Sequence, residues 1–225
     1  MKKVVIPREA PDRLTFFLAA EEYLARSAGE ELFFTWQSPP TVICGRNQVI
    51  ENEVNLEYCR EHGIEVVRRK SGGGCVYSDA GNVMLSYITP DTGVETAFAR
   101  FLEMVAAALR ELGFAAVTTA HNDILIGDRK VSGNACFALP NATIVHGTML
   151  YDLDFDALEK ATTPSAEKLG KHGVQSVRQR VVNLKSLGLQ MDAAQLRTYF
   201  EQKFCAEELK LTADDIEKIV KFENL

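Results

Sequence analysis

The sequence has no C-x-x-C pair, no excess of basic charge, and no apolar run approaching the roughly 18–20 residues of a membrane span. Its five cysteines, Cys44, Cys59, Cys75, Cys136 and Cys205, are odd in number and scattered. That argues against a disulfide framework or a zinc ribbon and fits reduced thiols in a cytoplasm. Lys and Arg number 25 against 31 Asp and Glu, a formal charge of −6, which speaks against a generally basic nucleic-acid binder. Met1–Pro7 has too short an apolar core for a signal peptide. The two common nucleotide motifs, G-x-G-x-x-G and the Walker A loop, are also missing. What is present is ordinary: 225 residues, 46% hydrophobic and 25% charged, enough chain for one large or two small domains. Such a chain buries roughly 70% of its unfolded surface and needs no covalent staple. The expectation is a cytoplasmic globular protein that engages neither nucleic acid nor membrane.

Hydrophobic periodicity predicts a strand over Lys3–Ile6, a helix from about Pro11 to Ala28, and strands over Glu31–Trp36 and Thr41–Cys44. Ser38-Pro39-Pro40 between those two strands reads as a hairpin turn. A short helix over Val54–His62 and a strand over Ile64–Arg69 follow, then Ser71-Gly72-Gly73-Gly74 breaks the strand. Extended structure resumes at Cys75–Tyr77 and Val83–Ile88, and Val94–Leu112 carries the clearest amphipathic stripe, closed by Gly113. Asp123–Ile126 and Arg129–Phe137 form a hairpin across Gly127-Asp128, and Ala142–Tyr151 is a further strand. Phe155–Leu169 reads as helical, broken at Pro164, and the tail holds helices over Ala193–Phe204 and Ala213–Phe222. Hairpins with irregularly spaced helices, and no regular βαβ alternation, predict an α+β fold with a mixed, largely antiparallel sheet flanked by helices.

Four stretches stand out chemically. In Arg68-Arg69-Lys70-Ser71-Gly72-Gly73-Gly74, three glycines let backbone N–H groups face an anion beside three cations. In His121–Asn134, strand alternation puts Lys130 and Ser132 on one face and Val131 on the other. His146-Gly147-Thr148 interrupts an apolar strand. Residues 160–185 hold six Lys or Arg (Lys160, Lys168, Lys171, Arg178, Arg180, Lys185) against Glu167 alone, which suits a phosphate or an acidic partner.

Taken in order, these stretches resemble the lipoate–protein ligase A family of the biotin/lipoate ligase superfamily. The resemblance runs through Gly45–Gln48, Arg68–Tyr77 with Asp79, Gly81 and Asn82, Asn122-Asp123, Arg129–Gly133, His146–Thr148 and Ser176–Leu184, over residues 10–190. It implies a catalytic domain over residues 1–190 and a short helical tail over 191–225 docked on it, without a full accessory domain. It also implies ATP-dependent activation of lipoate (or octanoate) to an acyl-adenylate, with transfer to a lysine on an acceptor domain of a 2-oxoacid dehydrogenase or glycine cleavage complex. A separately encoded accessory-domain protein is a further implied partner, and the compact family form implies a monomer.

By the same resemblance Lys130 is the catalytic lysine, a cation placed between two reacting anions. Arg69, Gly72, Gly73, Gly74, Cys75, Val76, Tyr77, Asn82, Asn122, Asp123 and Lys130 are implied to hold ATP. Asn122 and Asp123 are implied ligands of Mg²⁺. Lipoate is implied to contact Arg69, Gly74, Val76, Lys130, Val131, Ser132, Gly133, His146 and Gly147, with Val76 and Val131 as its apolar wall. The chain departs from the family pattern at Ser78, where histidine is usual, at Met84, where a polar residue is common, and at Phe137, where a close ligase pattern has arginine. Two alternatives remain: a lipoyl or octanoyl transferase using a cysteine without ATP, and a non-catalytic binding member. Thr118–Asn122, where such transferases carry their cysteine, has none.

Overall fold

In the computed structural model, residues 1–27, 29–120, 122–162 and 180–223 are described. The chain runs β1 (Lys2–Val5), α1 (Leu14–Ser27), β2 (Leu32–Trp36), β3 (Thr41–Cys44), α2 (Ile50–Glu53), α3 (Leu56–Glu61), β4 (Glu65–Arg68), β5 (Val76–Ser78) and β6 (Asn82–Thr89). It continues through α4 (Val94–Glu111), β7 (Ala116–Thr118), β8 (Asp123–Ile126), β9 (Arg129–Leu139), β10 (Ala142–Leu150) and α5 (Phe155–Ala161). A 3₁₀ turn (Lys185–Leu187), α6 (Ala193–Phe204), β11 (Glu207–Lys210) and α7 (Ala213–Phe222) complete it. Eight strands form one sheet in the order β11-β1-β2-β6-β10-β9-β8-β7, and three form a second in the order β4-β3-β5. Pairing is antiparallel except for β1 with β2, β1 with β11 and β3 with β4, so the α+β class expected from the sequence is the one observed.

The central strands β6 and β10 are buried along their whole length, because both faces of the large sheet are covered. Alternation on β10 sends Val145 and Met149 to one face, against Phe101, Val105 and Leu109 of α4 and Leu196 and Phe200 of α6. Ile144 goes to the other face, with Leu14 and Phe17 of α1 and Ile219 of α7. Full burial of side chains such as Phe101 or Leu109 contributes about 1.5–3 kcal/mol each. The small sheet packs through Val42 and Tyr77 against α3 and α5.

Three expectations are corrected. β2 and β3 are not a hairpin: β2 pairs with β1 and β6, whereas β3 pairs with β4 and β5. Pro39 and Pro40 supply no N–H to a ladder, so the chain leaves one sheet and enters the other. The helix expected from Val54 begins at Leu56, where the Asn55 side chain accepts the Tyr58 N–H and caps it. The tail is not purely helical, since β11 adds a parallel strand to the β1 edge. Its sequence Glu-Glu-Leu-Lys has no apolar alternation and suits a sheet edge, where charge is tolerated. The expected helix beyond Ala161, together with Lys168, Lys171, Arg178 and residues 176–179 of the 176–184 element, lies outside the described residues.

Candidate active site

The two sheets meet where the loop after β4 crosses the α1 face of the large sheet. Arg69 starts that loop, is only 7% exposed, and turns inward. Its guanidinium donates to the carbonyls of Ile43 (3.0 Å), Gly72 (2.7 and 3.2 Å) and Gly74 (2.8 Å). Arg68 does the same for the neighbouring turn, donating to the carbonyls of Gly45, Arg46 and Gln48. The turns interlock: a Cβ on Gly45 would lie 2.1 Å from the Gly73 carbonyl oxygen, and Gly73 has φ +93°. Only glycine satisfies both constraints without strain.

This clamp decides which way the loop's polar groups face. A trans peptide points its C=O and the following N–H in opposite directions. Drawing the Gly72 and Gly74 carbonyls onto Arg69 therefore turns the N–H groups of Gly73 and Cys75 away from it. Among the described residues no partner occupies the N–H groups of Gly72–Cys75, and open space stands beside Gly72 and Gly74. The result is a row of free donors beside a buried cation, an arrangement that accepts an anion. Burial lowers the Arg69 pKa from its ordinary value.

A buried polar chain closes the other side of the cleft. Ser71 Oγ lies 2.7 Å from His146 Nε2, and His146 Nδ1 lies 2.8 Å from Glu21 Oε2. Ser86 donates to Glu21 Oε1 at 2.5 Å and accepts from Trp36 Nε1 at 2.8 Å, so the Glu21 carboxylate is satisfied on both oxygens. Beside this chain is a cavity of about 120 Å³ whose apolar wall includes Leu18, Val67, Phe137, Ile144 and Phe222, with Arg69 and His146 among its polar lining. The polar lining also includes the carboxylates Glu21, Glu22 and Glu223; a cavity with this apolar wall and polar margin can take an acyl chain with a polar head.

Lys130 sits farther along the same face, its Nζ 2.9 Å from Asp123 Oδ2. β9 carries a bulge here: Ile124 faces Ser132 while Leu125 faces Lys130, leaving Val131 as the extra residue. Strict alternation is thereby lost. The Lys130 side chain passes 3.6 Å from where a Gly133 Cβ would stand, whereas Ser132 donates to Asn134 on the other side. The expected pairing of Lys130 with Ser132 on one face is thus corrected by the bulge. Asn122 precedes the hairpin at φ +69°, and its carbonyl accepts from Asn134.

The structure brings together Arg69, Gly72, Gly73, Gly74, Cys75 and His146 around the cleft, and places Lys130 with Asp123 and Gly133 as a second group farther along the sheet. It does not bring Val131, which is fully buried in the cluster under α4, or Asn82, which is 0% exposed. Asn82 donates to Ser78 Oγ at 3.1 Å and to the Met84 sulfur at 3.0 Å, so two departures from the family pattern serve to hold it inside. The Tyr77 side chain is buried in the small-sheet core, and Val76 packs on the α1-side cluster outside the cavity lining. Gly147 is confined to glycine by Asn134 Oδ1, which lies 1.8 Å from where its Cβ would be. Among the described residues no group of three His, Cys, Asp or Glu could hold a metal; Asp123 offers a single carboxylate, already ion-paired.

Glu21 escaped sequence reasoning. It falls on the buried stripe Leu14, Phe17, Glu21, Leu24 of α1, and a carboxylate at such a position signals an internal partner.

A model of the lipoyl protein ligase A/B catalytic domain matches residues 14–205. Lipoate–protein ligase 1 of Staphylococcus aureus is 39% identical over 219 residues, covering 93% of this chain and 66% of the relative. The curated relatives are longer, and the chain spans 46–66% of their lengths. A bipartite lipoate protein ligase studied with its E2 lipoyl domain, from Thermoplasma acidophilum, superposes with TM-score 0.86 at 26% identity, over 99% of this chain and 91% of that one. A lipoate-protein ligase A bound with ATP superposes with TM-score 0.83 at 26% identity, over 99% and 94%.

Proposed function

Because this chain belongs to the lipoyl protein ligase A/B catalytic-domain family, we propose that it activates lipoate or octanoate with ATP and passes the acyl group to a lysine of a lipoyl domain. In the first step a carboxylate oxygen attacks the α-phosphorus and pyrophosphate leaves. In the second the acceptor amine attacks the acyl carbonyl and AMP leaves. The observation that carries the reading is the row of unpaired N–H groups at Gly72–Cys75, turned outward by Arg69, beside an apolar cavity. The donors suit phosphate oxygens and the cavity suits the acyl chain.

In this reading Arg69 holds the phosphate cradle rather than the nucleotide itself. Lys130 releases Asp123 and moves between the carboxylate and the α-phosphate, offsetting the repulsion that opposes their approach. His146, oriented by Glu21, holds the inner polar end of the acyl pocket. A Mg²⁺ ion would be carried chiefly by the triphosphate, as is usual for this ion, with Asp123 as its one carboxylate from this site. The acceptor is a lipoyl domain of a 2-oxoacid dehydrogenase or glycine cleavage complex, and a separate accessory-domain protein is a further partner. The catalytic unit, residues 1–190 with the tail docked on it, acts as a monomer in the cytoplasm.

The test is to supply lipoate with ATP, and separately preformed lipoyl-adenylate, to the chain and a lipoyl domain. Pyrophosphate release and lipoylation are then measured. Transfer from the adenylate is expected to be the faster of the two. Absence of both reactions would sink the ligase reading.

A further inference from the structure

We propose that Cys44 and Cys75 are a modification site, forming an intramolecular disulfide when the protein meets an oxidised small-molecule thiol such as glutathione disulfide. Their sulfurs lie 3.5 Å apart, in direct contact. The pairing is a consequence of the fold. β3 and β5 run antiparallel with Ile43 opposite Val76 as the last pair of the ladder, and Cys44 and Cys75 are the residues that immediately flank that pair on the two strands. Directly opposed residues in an antiparallel pair have Cα atoms about 4.5–5.5 Å apart, within the 4.4–6.8 Å that a disulfide spans. Forming the bond, at about 2.05 Å, requires the sulfurs to approach by roughly 1.5 Å.

The two thiols are not equivalent. Cys44 is fully buried, whereas Cys75 is partly exposed at the end of the glycine loop. Cys75 therefore meets the oxidant: its thiolate attacks one sulfur of the external disulfide and expels one thiolate. Cys44 then attacks the Cys75 sulfur of the mixed disulfide and expels the second. The two protein thiols are oxidised, the external disulfide is reduced to two thiols, and those thiols carry away the two protons. Burial, reinforced by Cys44, pushes the Cys75 thiol up, and the Arg69 guanidinium opposes that shift. Oxidation is accordingly slow at neutral pH and faster in mild alkali.

The consequence for activity rests on the ligase reading above. The approach of the sulfurs must come largely from Cys75, because Cys44 is fixed in β3. It pulls on Gly74, whose carbonyl is held by Arg69, and so on the outward N–H row. Oxidation is expected to weaken ATP binding.

The experiment treats the full chain with glutathione disulfide at mildly alkaline pH, blocks free thiols with N-ethylmaleimide, and maps the peptides by mass spectrometry. A Cys44–Cys75 cross-linked peptide, released by dithiothreitol, is expected. Cys75→Ser should abolish it, and Cys44→Ser should leave a mixed disulfide on Cys75. Recovery of Cys44 and Cys75 in their alkylated forms, or their pairing with Cys59, Cys136 or Cys205, would overturn the proposal. ATP binding is then measured by calorimetry on both forms. If the disulfide forms but the reduced chain binds no ATP, the ligase reading falls while the modification site stands.

Discussion

The two sheets meet at one cleft but are stabilised in different ways. β10 of the large sheet is buried at every residue and paired on both sides, so its position is set by packing and by two hydrogen-bonded ladders. The small sheet has three short strands, with β4 exposed at Glu65 and Arg68. Its loops are held instead by two arginines that bind main-chain carbonyls. The large sheet accordingly presents side chains, His146 and Lys130, on a rigid base. The small sheet presents backbone. A phosphate cradle needs main-chain N–H groups in a bent conformation that no ladder would tolerate, and a buried guanidinium supplies the fixation that a ladder would otherwise provide.

Removing the side chain that the large sheet presents should have the largest effect. Lys130→Ala is expected to lower the rate of adenylation by about two to three orders of magnitude with the fold intact. Lys130→Arg should also be poor, because a planar guanidinium does not replace a compact ammonium. Near-normal pyrophosphate release by the alanine variant would remove Lys130 from the reaction.

Arg69→Met asks whether the small sheet really depends on its clamp. Leaving the Ile43, Gly72 and Gly74 carbonyls without their donor should cost about 3 kcal/mol, read as a lowered denaturant midpoint. An unchanged midpoint with lost ATP affinity would mean that the guanidinium serves the ligand instead. Gly73→Val forces a β-branched residue to φ +93° and brings its Cβ to 2.9 Å from Arg69 Nη2. Strain of about 1–3 kcal/mol should appear mainly as weakened ATP binding in calorimetry. Equal affinity with a lower melting temperature would reduce the glycine run to a plain turn.

The smallest effect concerns the tie between the loop and α1. Burial pushes the Glu22 carboxyl up, but Lys70 and Arg26 pull it down further, leaving it below its ordinary value of 4.5. Its stabilisation is therefore present above that value and disappears as pH falls through the lower folded value. Glu22→Gln should cost less than about 1 kcal/mol at pH 7, since both cations are largely in solvent, and the difference in thermal melts should vanish in acid. A difference that persists in acid would point to packing.

Helices bounded by strong local signals were legible from sequence. Ala193–Phe204 and Ala213–Phe222 have the expected limits, each opened by a capping box, from Asp192 and Thr212. The β8–β9 turn was legible because Gly127, at φ +64°, is the residue such a turn requires. Features set by distant contacts were not. Nothing local says that Arg69 points inward, because its partners are carbonyls on its own loop and on β3. The bulge at Val131 depends on the register with β8, and β11 exists only because β1 offers an edge. Of the site, the residue types were readable in order, whereas the facing of Ser132, the burial of Asn82 and the role of Glu21 required the fold.

The pairing of β11 with β1 has a mechanical side. The strands are parallel, with Lys2 opposite Glu207 and Val5 opposite Lys210. Tension applied between residue 2 and residue 210 would pull one strand from its first residue and the other from its last. The hydrogen bonds between them would then be loaded together in shear rather than opened one after another. By contrast, the antiparallel β8–β9 hairpin, pulled from its two open ends at Asp123 and Gly133, would unzip one pair at a time. The seam that joins the tail to the first strand is thus the stiffer against stretching, although it is one of the shortest pairings in the large sheet.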